Sequence, residues 1–281
     1  HGASKKNDIE YLTKISQPDL TTLLNVSEAH MESFKNMKNL TLTKEEIFSH
    51  PRTKHIILNM DDVNFMRWKK LNDNKKITTI SLKENADYVM KHDSENYYVS
   101  TSHGDFNINK DITKNILPIN VLFSIAITME SGSSIHDVIN GLQSFSGIEG
   151  RFYTFYSKNK SMIIDDSYNA NPESMKSALR QLASYPKTRI FVMGDMGELG
   201  INSQNHHQSI FKLSKELGIE YLFYMGKYKK DAELIFGHNC YTSDNMNNLV
   251  IELEKISDIE STILIKASRF MNFDYIVKEL K

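Results

Sequence analysis

The fold is decided by the stretch Met162-Ile163-Ile164-Asp165-Asp166-Ser167-Tyr168-Asn169-Ala170-Asn171-Pro172. The run Met162–Asp165 predicts a short strand. Pro172, placed directly after Asn171, predicts the first turn of a helix that extends to Ala183. A dense run of polar residues connects the two. A strand that leads through a polar loop into a helix is typical of α/β folds.

Strand and helix patterns keep alternating through the second half of the chain. The predicted elements are strands at Arg189–Met193, Tyr221–Met225 and Thr262–Ile265, and helices at Ser203–Leu217, Lys227–Ile235, Asn245–Ile256 and Phe273–Leu280. This alternation predicts a mostly parallel sheet that helices cover on both faces. Ligands of such sheets bind outside the carboxyl ends of the strands, so the polar residues after each strand are candidates for chemistry.

The first half of the chain has a mixed pattern. Its predicted elements are strands at Leu20–Val26 and Lys54–Leu58, a helix through Lys44–Phe48, short strands at Tyr88–Met90, Tyr97–Thr101 and Asp105–Ile108, and helices at Pro118–Met129 and Ile135–Leu142. The turn Ser102-His103-Gly104 predicts an antiparallel hairpin region. Gly147 and Gly150 interrupt the pattern, and the length suits two domains, which we place at residues 1–148 and 149–281.

The bulk composition excludes several classes of protein. A formal net charge of −1 gives no field for nucleic acid or an anionic membrane. No apolar run approaches the roughly 20 residues that span a bilayer. The single cysteine, Cys240, cannot form an internal disulfide, and no signal peptide is visible. We therefore expect a cytoplasmic protein that neither binds nucleic acid nor inserts into a membrane. A monomer is our expectation, although the sequence carries no signal on the oligomeric state.

The chain contains no glycine-rich motif for phosphate binding. Gly226-Lys227 follows a predicted strand, but Tyr228 stands where a P-loop has Ser or Thr, and no glycine lies five residues before Gly226. The run Gly194–Gly200 is not a dinucleotide fingerprint. It is either a plain turn-rich loop or a site that uses its two carboxylates.

Several other residues have both a functional and a structural interpretation. The run Asp165–Pro172 can bind a ribose or an ammonium group, or it can only turn the chain and cap the next helix. Lys266-Ala267-Ser268-Arg269 suits a carboxylate or phosphate, but also a charged helix cap. His30, among acidic residues, can be a metal ligand or a hydrogen-bonded surface residue. Lys44 is by base rates a surface lysine of its helix.

Taken together and in this order, these segments resemble the Mur ligase family. Asp166–Pro172, Gly194–Gly200 and Lys266–Arg269 are similar to its C-terminal domain. The segments that are similar to its central domain are Asn25–His30, Lys44–Phe48, Asn59–Asp62 and Gly150-Arg151. The resemblance implies a partial central, ATPase-type domain followed by a Rossmann-like C-terminal domain with a mostly parallel sheet.

The resemblance also implies an ATP-dependent amide ligase of peptidoglycan synthesis. The family member with a string like Asp166–Pro172 phosphorylates the carboxylate of UDP-N-acetylmuramoyl-tripeptide. The amine of D-alanyl-D-alanine then attacks the acyl phosphate. ATP and Mg²⁺ are the implied cofactors, since negative charge develops on phosphoryl and acyl oxygens.

Residue roles follow from matching positions. His30 would ligate magnesium, Lys44 would become a carbamate that also binds the metal, and Arg151 would steady the transferring phosphate. Asn120 would lie beside the adenine, and Asp166 would bind the ribose. The implied substrate-binding residues are Asn169, Asn171, Asp195, Glu198, Lys266, Ser268 and Arg269. His207 also occupies a matching position.

The sequence departs from the family pattern in four ways. It contains neither the N-terminal uridine-binding domain nor the P-loop. Lys114-Asn115-Ile116-Leu117 stands where the family has Gly-x-His-Asn, and Ala267 replaces a glycine. We therefore expect ATP binding that is weaker than usual for the family, and no ligation by the isolated 281-residue chain.

Three hypotheses follow. The one we favour is part of an active ligase whose gene continues upstream with a P-loop. The second is a non-catalytic binding or scaffold protein that has kept the fold. The third is another ligase of the superfamily, such as one that adds glutamate to folate, and the Asp166–Pro172 string argues against it. Fold alone does not decide between them.

Overall fold

The computed structural model describes residues 2–26, 31–83, 85–110, 116–186 and 188–281. The chain forms two compact units, and the change from one to the other falls between Ser146 and Gly147. Within the described residues, no helix is both long enough and apolar enough to cross a membrane.

A six-stranded mixed sheet forms the centre of the first unit. Its strands lie in chain order and are β1 (Leu20–Thr22), β2 (His55–Asn59), β3 (Lys76–Ser81), β4 (Tyr88–His92), β5 (Asn96–Thr101) and β6 (Phe106–Asn109). The pairs from β1 to β4 are parallel, whereas β4, β5 and β6 pair antiparallel. The predicted antiparallel hairpin region is therefore confirmed.

Helices pack on both faces of this sheet. The described helices in this half of the chain are α1 (Asp8–Ser16), α2 (Met31–Phe34), α3 (Met37–Glu45), α4 (Phe65–Leu71), α5 (Pro118–Glu130) and α6 (Ile135–Gln143), with a 3-10 turn at Glu46–Phe48, and α4 and α5 contact the strands. Strand side chains alternate between the two faces. Accordingly, Ile57 of β2 belongs to the core that includes Leu122 of α5, whereas Ile56 and Leu58 belong to the core that includes Trp68 of α4.

The second unit has its own six-stranded sheet. Its strands are β7 (Tyr153–Tyr156), β8 (Met162–Asp165), β9 (Arg189–Gly194), β10 (Tyr221–Met225), β11 (Cys240–Thr242) and β12 (Thr262–Lys266). They lie in the order β11-β10-β9-β12-β8-β7. All neighbours pair in parallel except β7, which pairs antiparallel with β8 at one edge.

The helices of the second unit divide between the two faces of its sheet. They are α7 (Pro172–Ala183), α8 (Ser203–Glu216), α9 (Lys229–Phe236), α10 (Met246–Ile256) and α11 (Asp274–Leu280). Leu179, Phe211 and Ala232, from α7, α8 and α9, share one core, whereas Leu253 and Ile276, from α10 and α11, share the other. The loops that follow β8 and β12 therefore leave towards opposite faces. Such a divergence opens a crevice at the carboxyl edge of a sheet.

The structure confirms the predicted α/β architecture of the second unit. β8, β10 and α7 have the predicted bounds, and the other predicted elements there differ by one or two residues at one or both ends. In the first unit, the strand predicted over Leu20–Val26 was too long, because β1 pairs with β2 only from Leu20 to Thr22. β7 and β11 were not predicted, since three or four residues at a sheet edge give too little periodicity.

Candidate active site

Polar residues at the ends of three strands lie along the carboxyl edge of the second sheet. Asp166 follows β8, Lys266 ends β12 and Asp195 follows β9. The parallel register aligns these strand ends, since Ile265 of β12 lies opposite Asp165 of β8. The crevice between the diverging loops therefore gathers residues that the sequence predicted for ligand binding.

Lys266 and Asp166 form a nearly buried ion pair. Lys266 Nζ donates to Asp166 Oδ2 at 2.5 Å and to the carbonyl oxygen of Asn169 at 2.9 Å. Their side chains are 3% and 18% exposed. Burial raises the pKa of Asp166, although the charge and the hydrogen bond of Lys266 oppose this shift. A carboxylate has about four lone-pair positions, so Asp166 keeps acceptor capacity for the hydroxyl groups of a ligand.

Both acids at the end of β8 hold the loop that presents Arg151. Gly150 N donates to Asp165 Oδ2 at 2.8 Å, and Phe152 N donates to Asp166 Oδ1 at 3.2 Å. Gly150 and Phe152 have left-handed backbones, with φ of 79° and 56°. A left-handed phenylalanine is uncommon and persists where its surroundings over-determine it. The exposed Arg151 thus extends from a loop that is fixed on both sides.

Ser268 links the loops that follow β8, β9 and β12. Its Oγ accepts from Gly197 N at 2.8 Å and donates to the Ala170 carbonyl at 3.2 Å. Its backbone N donates to the Asp195 carbonyl at 3.0 Å. The Ser268 side chain is buried, so its bonds within the protein fix the shape of the crevice.

Asp195 is enclosed by donors. The Tyr224 hydroxyl donates to Oδ1, and Lys227 N donates to Oδ2 at 3.1 Å. Burial, followed by the hydrogen bond to Asp195, raises the pKa of Tyr224 far above its usual range, so the phenol stays protonated as a donor. A Cβ on Gly226 would lie 2.1 Å from Asp195 Oδ1. The Gly226-Lys227 backbone therefore lies against the Asp195 carboxylate, which belongs to the protein itself.

His207 is buried beside the same loop and is neutral. Its Nε2 accepts from Met196 N at 2.9 Å, and its Nδ1 donates to the Ser203 carbonyl at 2.7 Å. These two bonds require the proton to be on Nδ1. Burial lowers the pKa of His207, although Asp195 Oδ1 lies 3.4 Å from Nε2. His207 thus holds the Gly194–Gly200 loop in place.

The two asparagines of the polar string have local hydrogen bonds. The Asn171 side chain accepts from Ser174 N at 2.8 Å, and Ser174 Oγ accepts from Asn171 N at 3.0 Å, which forms a capping box at the start of α7. The structural interpretation of Asn171 as a helix cap is therefore confirmed. Asn169 is exposed, and its Oδ1 accepts from Ala170 N at 2.8 Å.

Glu198 and Arg269 are the exposed members of the predicted substrate-binding set that carry a charge. Glu198 has a left-handed backbone, with φ of 60°. Arg269 follows Ser268 in the 3-10 turn Arg269–Met271, and its Nη1 lies 3.6 Å from Asp274 Oδ1. Its side chain is 61% exposed. Arg269 is thus a solvent-accessible cation next to the buried Ser268.

Lys44 lies in the last turn of α3, within the first unit. Its side chain is half-buried, and within the described ranges it has no hydrogen-bonding or ion-pair partner. Burial lowers its pKa. The next residue, Glu45, accepts from Arg67 Nε at 2.6 Å and from Trp68 Nε1 at 3.0 Å, which anchors the end of the helix. Lys44 thus differs from the solvated surface lysine that base rates predict.

Of the other residues predicted for a site in the first unit, the structure describes Asn120 but not His30. Asn120 lies in the first turn of α5, half-buried, and its carbonyl accepts from Ser124 Oγ at 2.9 Å. His30 lies outside the described residues, as do Lys114 and Asn115. In the part of the chain that the structure describes, no group of three His, Cys, Asp or Glu side chains could hold a metal ion.

Sequence reasoning missed residues that hold the site together. Asp165 accepts from Gly150 N, and also from Ser167 N at 3.1 Å and Ser167 Oγ at 2.6 Å. The sequence signal for this role of Asp165 was the adjacent pair Asp165-Asp166. One acid is enough to contact a ligand, so the second is available to hold the loops. Tyr224 was read only as part of an apolar strand, and its proximity to Asp195 had no sequence signal.

Two family descriptions match this chain. The Mur ligase middle domain matches residues 2–128, and the glutamate ligase domain of Mur ligases matches residues 150–269. Together they cover most of the described structure, one in each half of the chain.

Curated and solved proteins give the same result. The UDP-N-acetylmuramoyl-tripeptide–D-alanyl-D-alanine ligase of Buchnera aphidicola (strain APS) is 29% identical over 99% of this chain and 63% of its own length. The solved structure of MurF from Acinetobacter baumannii has a TM-score of 0.84 at 24% identity, over 99% of this chain and 63% of that protein. MurF from Thermotoga maritima, solved with ADP, has a TM-score of 0.82 at 23% identity, over 99% of this chain and 65% of that protein.

The chain spans slightly less than two thirds of the length of these relatives. The part that it spans contains both matched domains in the family order. The chain therefore belongs to the Mur ligase family.

Proposed function

We propose that this chain forms the middle and C-terminal domains, residues 1–148 and 149–281, of an ATP-dependent ligase of peptidoglycan precursor synthesis. The ligase joins D-alanyl-D-alanine to UDP-N-acetylmuramoyl-tripeptide. The observation that carries the proposal is the match along 99% of the chain to a curated ligase of that name. The crevice supports it, because Arg151 and Arg269 are exposed cations of the kind that phosphoryl and acyl oxygens require.

The nucleotide is bound by the loops around Asp166. Its carboxylate accepts hydrogen bonds from the ribose hydroxyls, and Arg151 binds the phosphates. These roles fit the geometry, because the Phe152 amide ties the Arg151 loop directly to the Asp166 carboxylate. Asn120 lies beside the adenine. The relative from Thermotoga maritima was solved with ADP, which supports ATP as the co-substrate.

The metal is bound by the middle domain. Mg²⁺, when bound, neutralises charge on the phosphoryl oxygens. His30 and a carbamate formed on Lys44 would hold it. Carbamate formation joins the neutral amine to CO₂ and releases one proton. The half-buried Lys44, which has no ion-pair partner among the described residues, suits this reaction, because its lowered pKa increases the share of neutral amine.

The substrate carboxylate and the dipeptide are bound on the C-terminal domain. Arg269 contacts the carboxylate, since it is the exposed cation of the Lys266–Arg269 run. Lys266 and Ser268 shape this site through their internal hydrogen bonds. Asn169 and Glu198 are the exposed residues that we assign to the substrate-binding surface. Asn171 and Asp195 support it by holding their loops through hydrogen bonds within the protein.

The test is ligation by the full-length protein as it is encoded. Purified protein is incubated with ATP, Mg²⁺, UDP-N-acetylmuramoyl-tripeptide and D-alanyl-D-alanine, and the products are identified by mass spectrometry. We expect the pentapeptide precursor together with ADP and phosphate. The 281-residue chain alone forms no product, because it contains no glycine-rich loop for the β and γ phosphates.

A second candidate function is a non-catalytic binding or scaffold protein. Ile116 and Leu117 favour it, because they replace the His and Asn that family members have at these positions. It predicts that the full-length protein neither forms the pentapeptide nor binds ATP in a calorimetric titration. ATP binding with turnover excludes it.

A further inference from the structure

The ring of Tyr168 lies between the predicted nucleotide and substrate sites and next to two arginines. The guanidinium carbon of Arg151 is 4.4 Å from the ring centre, and that of Arg269 is 6.0 Å away. Tyr168 is 47% exposed, and its hydroxyl has no partner among the residues that the structure describes. The ring face is therefore the part of this side chain that makes specific contacts.

The backbone fixes Tyr168 against the loop that carries Arg151. Tyr168 N donates to the Gly150 carbonyl at 3.0 Å. A Cβ on Gly150 would lie 3.2 Å from Tyr168 Cβ, so the two chain segments are in direct contact. Asp165 and Asp166 hold the same loop through Gly150 N and Phe152 N.

The two arginines leave this surface with a positive charge. Arg269 has one acidic neighbour, since its Nη1 lies 3.6 Å from Asp274 Oδ1. Arg151 has no carboxylate partner within the described ranges. Planar guanidinium groups bind phosphate and carboxylate through paired hydrogen bonds. An anion with several oxygens therefore fits beside the ring.

We propose that Tyr168 is a positioning residue that holds Arg151 in the orientation in which it binds a phosphate group of the nucleotide. The same ring holds Arg269 more weakly, beside the site of the substrate carboxylate. The inference rests on the proposed function, which places the nucleotide here. An exposed arginine without a stacking partner samples many rotamers, and this freedom is lost when a ligand binds. Contact with the Tyr168 ring restricts the arginine rotamers already in the free protein, so less freedom is lost when the ligand binds.

The test compares Tyr168→Leu with Tyr168→Phe in the full-length protein, with Tyr156→Leu as the matched control. Tyr156 is another exposed tyrosine, 68% exposed, on β7. The first readout is the rate at which phenylglyoxal modifies Arg151, measured by peptide mass spectrometry. Loss of the stacking contact in Tyr168→Leu raises this rate by about two- to fivefold. Tyr168→Phe and Tyr156→Leu keep the original rate.

The second readout is ligation kinetics. Tyr168→Leu raises the KM for ATP by about two- to fivefold and changes kcat less. Tyr168→Phe retains the ring and therefore keeps both values of the unaltered enzyme. Tyr168→Gln repeats the comparison with a polar side chain in case the leucine variant folds poorly.

Equal labelling of Arg151 in the leucine and phenylalanine variants overturns the inference, whatever the ligation assay shows. Absence of ligation by the unaltered enzyme overturns the proposed function instead. In that event the labelling rates still decide whether Tyr168 positions Arg151.

Discussion

Lys266 and Asp166 lie 100 residues apart in the sequence and form one ion pair with a 2.5 Å contact at the carboxyl edge of the second sheet. The same ammonium group donates to the Asn169 carbonyl, so one side chain joins the end of β12 to the loop after β8. Placing both charges away from water is costly unless they stay paired. The shape of the crevice therefore depends on both partners together.

The first prediction concerns the removal of one partner of this pair. Lys266→Met leaves the Asp166 carboxylate without its cation and the Asn169 carbonyl without its donor. We expect the free energy of unfolding of the second unit to fall by about 3 kcal/mol. Urea denaturation, followed by hydrogen exchange in peptides of β8 and β12, measures this change.

A double variant separates the charge from the packing. Asp166→Asn combined with Lys266→Met leaves no lone charge, so it loses less free energy than Lys266→Met alone. Lys278→Met is the control, because Lys278 pairs with Asp274 on the surface and is 71% exposed. Equal losses in Lys266→Met and Lys278→Met would mean that the buried pair does not stabilise the crevice.

The second prediction concerns the loop that carries Arg151. Gly150→Ala adds a methyl group 3.2 Å from Tyr168 Cβ at a left-handed position, with φ of 79°. The backbone strain alone costs about 1 kcal/mol. Because the loop must also shift, Arg151 moves, and we expect the KM for ATP to rise in the full-length enzyme.

Gly132→Ala is the matched control for this loop. Gly132 is also left-handed, with φ of 100°, but an added Cβ would have no atom within 4 Å. Gly132→Ala introduces the strain of a left-handed alanine but no contact with a neighbouring side chain. We therefore expect it to lower the free energy of unfolding by about 1 kcal/mol and to leave the ligation kinetics unchanged. A KM for ATP that is the same in both variants would contradict the role of the Gly150–Tyr168 contact.

The third prediction concerns the dependence of stability on pH. Burial holds the pKa of His207 in the folded protein below its ordinary value of 6.5. As the pH falls below 6.5, the unfolded chain takes up a proton that the folded protein does not bind. The contribution of neutral His207 to the free energy of unfolding is therefore complete above pH 6.5. It is lost as the pH falls from there towards the folded pKa, at up to about 1.4 kcal/mol per pH unit.

Two variants test this assignment. His207→Gln keeps an acceptor for Met196 N but does not titrate, so its free energy of unfolding between pH 7.5 and 5.5 falls less steeply than that of the unaltered protein. His238→Gln replaces an exposed histidine and should keep the original slope. Pulse proteolysis in urea measures both. Parallel slopes for all three proteins would show that His207 titrates normally.

The elements that the sequence predicted well are those with local signals. Asn171 and Pro172 start α7 at the predicted residue, because a capping side chain and a proline at the first helical position act within one turn. The position of Asp166, Asp195 and Lys266 at one edge of the sheet also followed from the sequence, since parallel strands bring their carboxyl ends to one edge.

The contacts that were missed depend on residues that are distant in the sequence. Gly226 must be glycine because Asp195 lies against it, and Asp195 is buried because Tyr224 and the Lys227 amide enclose it. The neutral state of His207 depends on the Met196 amide. None of these pairs has a periodic or compositional signal, so only the packed structure shows them.

The final prediction concerns Lys44, whose half-buried amine and lowered pKa suit carbamate formation. In the full-length enzyme, Lys44→Ala removes a predicted metal ligand, and we expect ligation to fall by about a hundredfold or more. A small carboxylate such as acetate or formate can occupy the vacated space as a substitute ligand. Added carboxylate should therefore restore part of the activity, which is measured as the rate of pentapeptide formation.

Lys38→Ala is the matched control, because Lys38 lies on the same helix and is exposed. It should keep full activity and show no response to carboxylates. If instead Lys44→Ala is inactive and added carboxylate restores nothing, then Lys44 acts through its positive charge. In that case Lys44→Arg would retain activity, whereas a carbamate role requires that arginine also fails, since a guanidinium that stays protonated does not react with CO₂.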